Sequence, residues 1–211
     1  MLSDNLGIAC YELGQYPKAL AAYREALYYQ TEAGGDPENV ATTLMNLAVL
    51  ETDAYTGRGK LGNPELDTIR KAALLRAQDY NEQAMRIAKA AKIKHKLISI
   101  YYQYALTLSE LGDGDRALSL VEKAIRMLRL RGDAGRLAAA CNNRGVIQQG
   151  LVANSGRALA SYETALAYAA EANEHGILKT VLSNYMPALE QAGDGTKAEA
   201  IRRRFSNLSG G

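Results

Sequence analysis

The sequence predicts an all-α chain. About five helical hairpins follow one another, and one second helix extends beyond its neighbours. Three observations carry this. Only four prolines interrupt 211 residues that are 47% hydrophobic. Apolar residues recur at helical spacing through most of the chain. One pattern of small and apolar residues also returns at near-constant intervals, as it does where each unit needs its neighbours to cover its apolar face.

The pattern is clearest between Asn5 and Leu27, NLGIACYELGQYPKALAAYREAL. Leu6, Gly7 and Cys10 share one helical face. Gly14 and Tyr16 mark a break, and Pro17 suits the first turn of a new helix. Ala19, Leu20, Tyr23, Ala26 and Leu27 form the second stripe. Gly7 costs about 1 kcal/mol of helix propensity against alanine. It is tolerable where a facing helix comes close, and Ala19 is the expected opposite surface. A single copy would not exclude an ordinary helical hairpin, so recurrence is the test.

Four further copies follow. Leu47-Ala48, Tyr104-Ala105, Arg144-Gly145 and Tyr185-Met186 stand where Leu6-Gly7 stands. From residues 7, 48, 105, 145 and 186 the steps are 41, 57, 40 and 41. The repeats fall at about 2–33, 37–93, 95–131, 133–172 and 174–207, within a single domain spanning 1–211. Asp36-Pro37-Glu38 supplies cap, proline and acid for the second repeat's first helix. Repeat two carries an insertion, 52–63, and then a helix predicted from Asn63-Pro64-Glu65 to about Ile93. Only its later half, Tyr80 to Ala91, aligns with Tyr16 to Leu27. Leu66, Ile69 and Ala73 extend its apolar stripe beyond the reach of an ordinary partner helix. They are a candidate secondary interface, with simple intramolecular coverage as the alternative. Pro187 falls inside the last repeat's first helix and is expected to kink it. The worn fifth copy reads as a terminal cap.

The Leu-Gly, Ala-x-x-x-aromatic, Ala-Leu spacing resembles the tetratricopeptide repeat, a helix–turn–helix unit. Here Cys10 replaces the usual tyrosine, and no early tryptophan is present. With the insertion removed, the period is near 41, similar to the long-repeat branch in kinesin light chains and some bacterial regulators. The resemblance implies a right-handed α–α superhelix, and an interaction scaffold rather than an enzyme.

Composition narrows the partners. With 25 basic and 23 acidic residues the net charge is +2, which argues against a general nucleic-acid or membrane-surface binder. There is no apolar run of transmembrane length and no leader pattern at the N-terminus, so a cytoplasmic protein, or a segment of a larger one, is expected. Cys10 and Cys141 sit at helix-core positions and read as buried thiols. His95 and His175 lack ligand spacing, so no metal or other cofactor is expected. GRGKLG (57–62) has Ala54 where a phosphate loop needs glycine, and Leu61 where it needs Ser or Thr. Arg202 to Arg204 suit a solvated last helical turn. No Ser/His/Asp or Cys/His arrangement suggests catalysis.

One constellation remains. The residue before each Leu-Gly position is Asn5, Asn46, Gln103, Asn143 and Asn184. Carboxamides are mediocre helix-interior residues, yet each offers a donor and an acceptor. In the long-repeat relatives, asparagines here face the groove and hold peptide backbone, and the resemblance implies that role for these five. The alternative is that they bond neighbouring helices and hold the register. Tyr11 and Tyr102 are candidate side-chain anchors, with Asn142 beside them. Arg144 is either a ligand contact or a salt-bridged structural residue. The acids Asp4, Glu12, Asp53 and Glu110 would favour a ligand with some positive charge. Tetratricopeptide carboxylate clamps need cations where Asp4, Ser99 and Gln103 stand and an asparagine where Ile8 stands; only Asn46 matches, so that specialisation is not expected. The expected function is a scaffold holding a peptide or partner segment in a concave groove. The second reading is a sensor or assembly segment of a larger regulator, packing on a neighbouring domain or self-associating, with the helix at 64–93 as the surface for a homo-oligomer.

Overall fold

A computed structural model describes residues 2–54, 64–150 and 155–205. These form ten helices and no strand. They are α1 (Leu2–Glu12), α2 (Tyr16–Glu32), α3 (Pro37–Asp53), α4 (Pro64–Ala90), α5 (Lys94–Leu111), α6 (Gly114–Arg131), α7 (Ala134–Gly150), α8 (Ser155–Ala172), α9 (His175–Gln191) and α10 (Gly195–Arg204). GRGKLG, most of the 52–63 insertion and the Ser/Gly tail lie outside the described residues.

The chain divides into two compact units, Met1–Asp113 and Gly114–Gly211, where the sequence suggested one domain. Repeat hairpins touch chiefly their sequence neighbours, so long-range contacts do not tie distant repeats together. In the first unit α1 packs on α2, α2 on α3, and α4 on both α3 and α5. In the second, α6 packs on α7, α7 on α8 and α9, and α9 on α8 and α10.

Most junctions share one local device. Gly14, Gly112 and Gly193 have φ of +68°, +83° and +76°. The next amide closes the turn on a carbonyl five residues back: Gln15 N to Cys10 O at 2.8 Å, Asp113 N to Leu108 O at 2.9 Å, Asp194 N to Leu189 O at 3.0 Å. Lys92 and Asn173 adopt the same left-handed conformation without being glycine. Asp36 and Asp194 cap α3 and α10 by accepting from the Glu38 and Lys197 amides.

Core positions repeat in register. In the second helices Ala19, Ala77, Ala117, Ala158 and Ala198 are all at most 1% exposed. Gly7 faces the Tyr23 ring rather than Ala19: a Cβ there would lie 2.5 Å from Tyr23 Cε1. Gly145 and Tyr162 repeat the relationship at 2.6 Å. Cys10 joins Ala19, Tyr23, Leu47 and Leu50 in one apolar cluster, and Cys141 is fully buried.

Repeat two corrects the expected alignment. Ala77, Asn81, Ala84 and Ala88 point inward, while Ala90 and Ala91 are exposed. The first three therefore match Ala19, Tyr23 and Ala26, six residues earlier in α4 than the Tyr80–Ala91 register. Asn81 occupies the aromatic position fully buried, and its amide donates to Thr107 Oγ1 in α5 at 3.1 Å. A polar residue there conceals the repeat from an apolar pattern.

The residue at the leucine position contacts the preceding second helix in every later copy. Leu47 packs with Tyr23 of α2. Tyr104 donates to Glu82 of α4 at 2.5 Å, and Arg144 donates to Glu122 of α6 at 3.1 Å. Tyr185 lies 5.9 Å, ring to ring, from Tyr162 of α8.

Candidate functional site

In the first unit, α1 and α3 flank a cleft of about 230 Å³ lined by Asp4, Asn5, Ile8, Asn39, Thr42, Thr43 and Asn46. Two of the predicted carboxamides, Asn5 (exposed) and Asn46 (half-buried), therefore open onto one space. Alignment of the repeats overlooks Asn39. It lies two turns before Asn46 on the same α3 face, so helical spacing within α3 was the available signal.

Most of the acids expected to attract positive charge are engaged. Asp4 accepts from Gln30 Nε2 at 2.8 Å and from Thr43 Oγ1 at 2.6 Å. The Tyr11 hydroxyl donates to Asp53, joining α1 to α3. That bond, with burial and the Asp53 charge, raises the Tyr11 pKa well above the ordinary tyrosine value. Arg70 near the start of α4 pairs with Glu110 at the end of α5. Three of the four acids expected to attract positive charge thus have partners within the unit, and Glu12 is the exposed one. Tyr102 is half-buried. Gln103 is only 9% exposed, and its Nε2 is buried without a hydrogen-bond partner among the described residues. The longer carboxamide at this place turns inward rather than lining an open surface.

The second unit brings its carboxamides together differently. Asn184 Nδ2 in α9 donates to Asn142 Oδ1 in α7 at 3.1 Å, and Asn142 is 5% exposed. Asn143 is half-buried, with its Nδ2 lacking a partner among the described residues. Further along the same helices, Gln149 Nε2 donates to Gln191 Oε1 at 3.1 Å. It spans 42 residues, as Tyr11 to Asp53 does in the first unit. Here side-chain amides link successive first helices, as the register-holding alternative requires.

Arg144 belongs to the same scaffold. Its Nε donates to Ser161 Oγ at 2.9 Å and its Nη1 to Glu122, with the side chain 15% exposed. An arginine where leucine usually packs inward thus bridges α6, α7 and α8, which is the salt-bridged alternative. On α4, Ala73 is fully buried while Leu66 and Ile69 are 41% and 43% exposed. The proposed secondary interface therefore reduces to those two side chains.

No group of three or more His, Cys, Asp or Glu suited to a metal occurs among the described residues. No described helix is long and apolar enough to cross a membrane.

Residues 3–32 match the tetratricopeptide repeat family. A comparison with curated protein sequences gives no match. Among solved structures, BtubC (BKLC) from P. vanneervenii superposes with a TM-score of 0.76 at 23% identity, over 97% of this chain and 77% of that one. A Rap protein complexed with competence and sporulation factor gives 0.75 at 17% identity, over 98% of this chain and 53% of that one. This chain thus spans about half the Rap protein's length. A MamA protein gives 0.60 at 14% identity, over 98% and 90%. At these identities the likeness is one of fold. The first hairpin matches the tetratricopeptide repeat by sequence, and the described residues have an all-α fold like that of these repeat proteins.

Proposed function

We propose that this chain is a protein-interaction scaffold, and that the α1–α3 cleft holds an extended stretch of a peptide or partner protein. The observation carrying this reading is the convergence of Asn5, Asn39 and Asn46 on one open cleft. Carboxamides can pair with the N–H and C=O groups of an extended backbone whatever its side chains. Tyr11, further along α1, is held in place by Asp53 of α3. The Rap structure, complexed with competence and sporulation factor, gives an instance of this fold holding a ligand. Tyr102, half-buried on α5, is assigned a supporting contact, while Gln103 is buried and Asn143 belongs to the second unit. Asn142, Arg144 and Asn184 hold the second unit's register, and catalysis is not part of this reading.

The test is capture from native lysate by immobilised protein, followed by mass spectrometry. Asn5→Ala with Asn46→Ala should reduce captured partners at least tenfold while leaving helicity unchanged. Undiminished capture by that double variant would overturn the cleft reading.

The second reading is an assembly segment of a larger regulator, and the exposed Leu66 and Ile69 on α4 favour it. In that case Leu66→Asp with Ile69→Asp would release a neighbouring domain, whereas the asparagine variants would not.

A further inference from the structure

We propose that the corner joining α4 to α5 is a second docking surface, and that it takes an acidic segment of a partner protein. The near-even overall charge conceals it. No Asp or Glu occurs between Gln83 and Ser109, a stretch that holds Arg86, Lys89, Lys92, Lys94, His95 and Lys96. Five of the 25 basic residues lie here, so the other 20 face all 23 acids. The fold then gathers the six. Arg86 and Lys89 stand in the last turns of α4, Lys92 in the connection, and the other three open α5. Arg86 lies only about 6 Å along the axis from the end of α4 at Ala90. All but Lys96 are exposed. One carboxylate answers them: Glu38, at the start of α3, lies 2.9 Å from His95 Nε2 and 3.9 Å from Lys96 Nζ. Arg86, Lys92 and Lys94 form no ion pair among the described residues.

A cation at Lys92 runs against the backbone. Its φ is +57°, and the turn closes through Ile93 N on Ala88 O at 2.9 Å, as the turns at Gly14, Gly112 and Gly193 do. Glycine adopts this conformation freely and lysine does not. Asn173, the other non-glycine residue so placed, is of a type that tolerates it. Strain kept at an exposed position points to a side chain retained for function. Charge complementarity then selects an acidic occupant, and the surroundings select among acidic occupants. Single-stranded nucleic acid calls for ring faces on which bases stack. Tyr101, the ring at this corner, is 7% exposed and lies 5.9 Å beneath Lys89 Nζ. A membrane surface calls for exposed apolar side chains beside the cations, whereas Ile93 is half-buried and Leu97 buried. An acidic peptide needs only the cations.

The experiment is fluorescence anisotropy of a labelled peptide of alternating Glu and Ser, at low ionic strength, where surface charges are least screened. The intact chain should bind it, and should not bind the same peptide with Gln in place of Glu. Lys92→Glu with Lys94→Glu should weaken binding by about tenfold while keeping helicity. Lys18→Glu with Lys71→Glu reverses two exposed cations elsewhere in the first unit and should leave binding unchanged. Asn5→Ala with Asn46→Ala should also leave it unchanged, so the corner stands or falls apart from the α1–α3 cleft. As a second readout, Lys92→Gly should not lower the urea midpoint, because glycine suits the turn, yet it should bind the acidic peptide more weakly than the parent chain does. No binding of the acidic peptide, equal binding of the Gln peptide, or an equal loss through Lys18 and Lys71 would each overturn the proposal. So would tighter binding of a single-stranded oligonucleotide or of vesicles rich in phosphatidylserine.

Discussion

Asn184 in α9 donates through its side-chain amide to the carbonyl oxygen of the Asn142 side chain in α7, at 3.1 Å. Asn142 is nearly inaccessible to water, so the bond fixes the spacing of two successive first helices. Asn184→Ala leaves a buried acceptor without that donor, which costs about 1–3 kcal/mol. Asn184→Asp should cost more, because a carboxylate would face the Asn142 oxygen. Urea unfolding followed by helical signal measures both losses. Partner capture by the folded fraction should not change.

Gly145 meets the Tyr162 ring so closely that a methyl group would lie 2.6 Å from Cε1. Gly145→Ala gains about 1 kcal/mol of helix propensity. Overpacking a well-filled site costs about 1–3 kcal/mol, so the net change should be destabilising. Gly176, in the first turn of α9, has nothing within 4 Å of the place a methyl group would take. Gly176→Ala should be neutral or stabilising. Matched denaturation curves of the two variants decide this. If Gly145→Ala proved the more stable of the pair, the close packing of Gly145 on Tyr162 would be wrong.

Burial pushes Tyr162 up to about 12 from an ordinary value near 10. The unfolded chain therefore releases this proton before the folded chain does. Its contribution is fully present below pH ~10 and is lost as pH rises toward ~12, at about 1.4 kcal/mol per pH unit. Tyr185 and Tyr23 are also raised, chiefly by burial, and steepen the alkaline decline. Tyr162→Phe loses the 2.9 Å bond to Gln149, about 1 kcal/mol at neutral pH. It should also show a shallower fall between pH ~10 and ~12. Urea midpoints measured across that range give the comparison.

The fold is legible because its grammar is apolar spacing plus small residues at fixed places. Gly7, Ala19 and their later counterparts announce close helix contacts that the structure contains. Gly14, Gly112 and Gly193 mark three of the turns. Legibility fails in α4, where Asn81 sits in an aromatic's place and the true register begins six residues early. It satisfies its buried amide through Thr107, a partner that no spacing rule within one helix can reveal. The carboxamide positions are legible as a set but not in their individual roles. Asn5 and Asn46 face a cleft, Gln103 is buried, and Asn184 is spent on Asn142. What separates them is the neighbouring helix, and a sequence does not display which neighbour comes within about 3 Å, the reach of a hydrogen bond.

The two cysteines divide evenly, Cys10 in the first unit and Cys141 in the second. Both are free thiols in the core, and burial raises the Cys141 pKa, suppressing its reactive thiolate. Each unit thus carries one native chemical clock. Labelling by a thiol reagent proceeds at the pace at which that unit opens, and peptide mapping separates the two rates. The unaltered protein can therefore report whether its halves breathe together or independently, and which of them a bound partner holds shut.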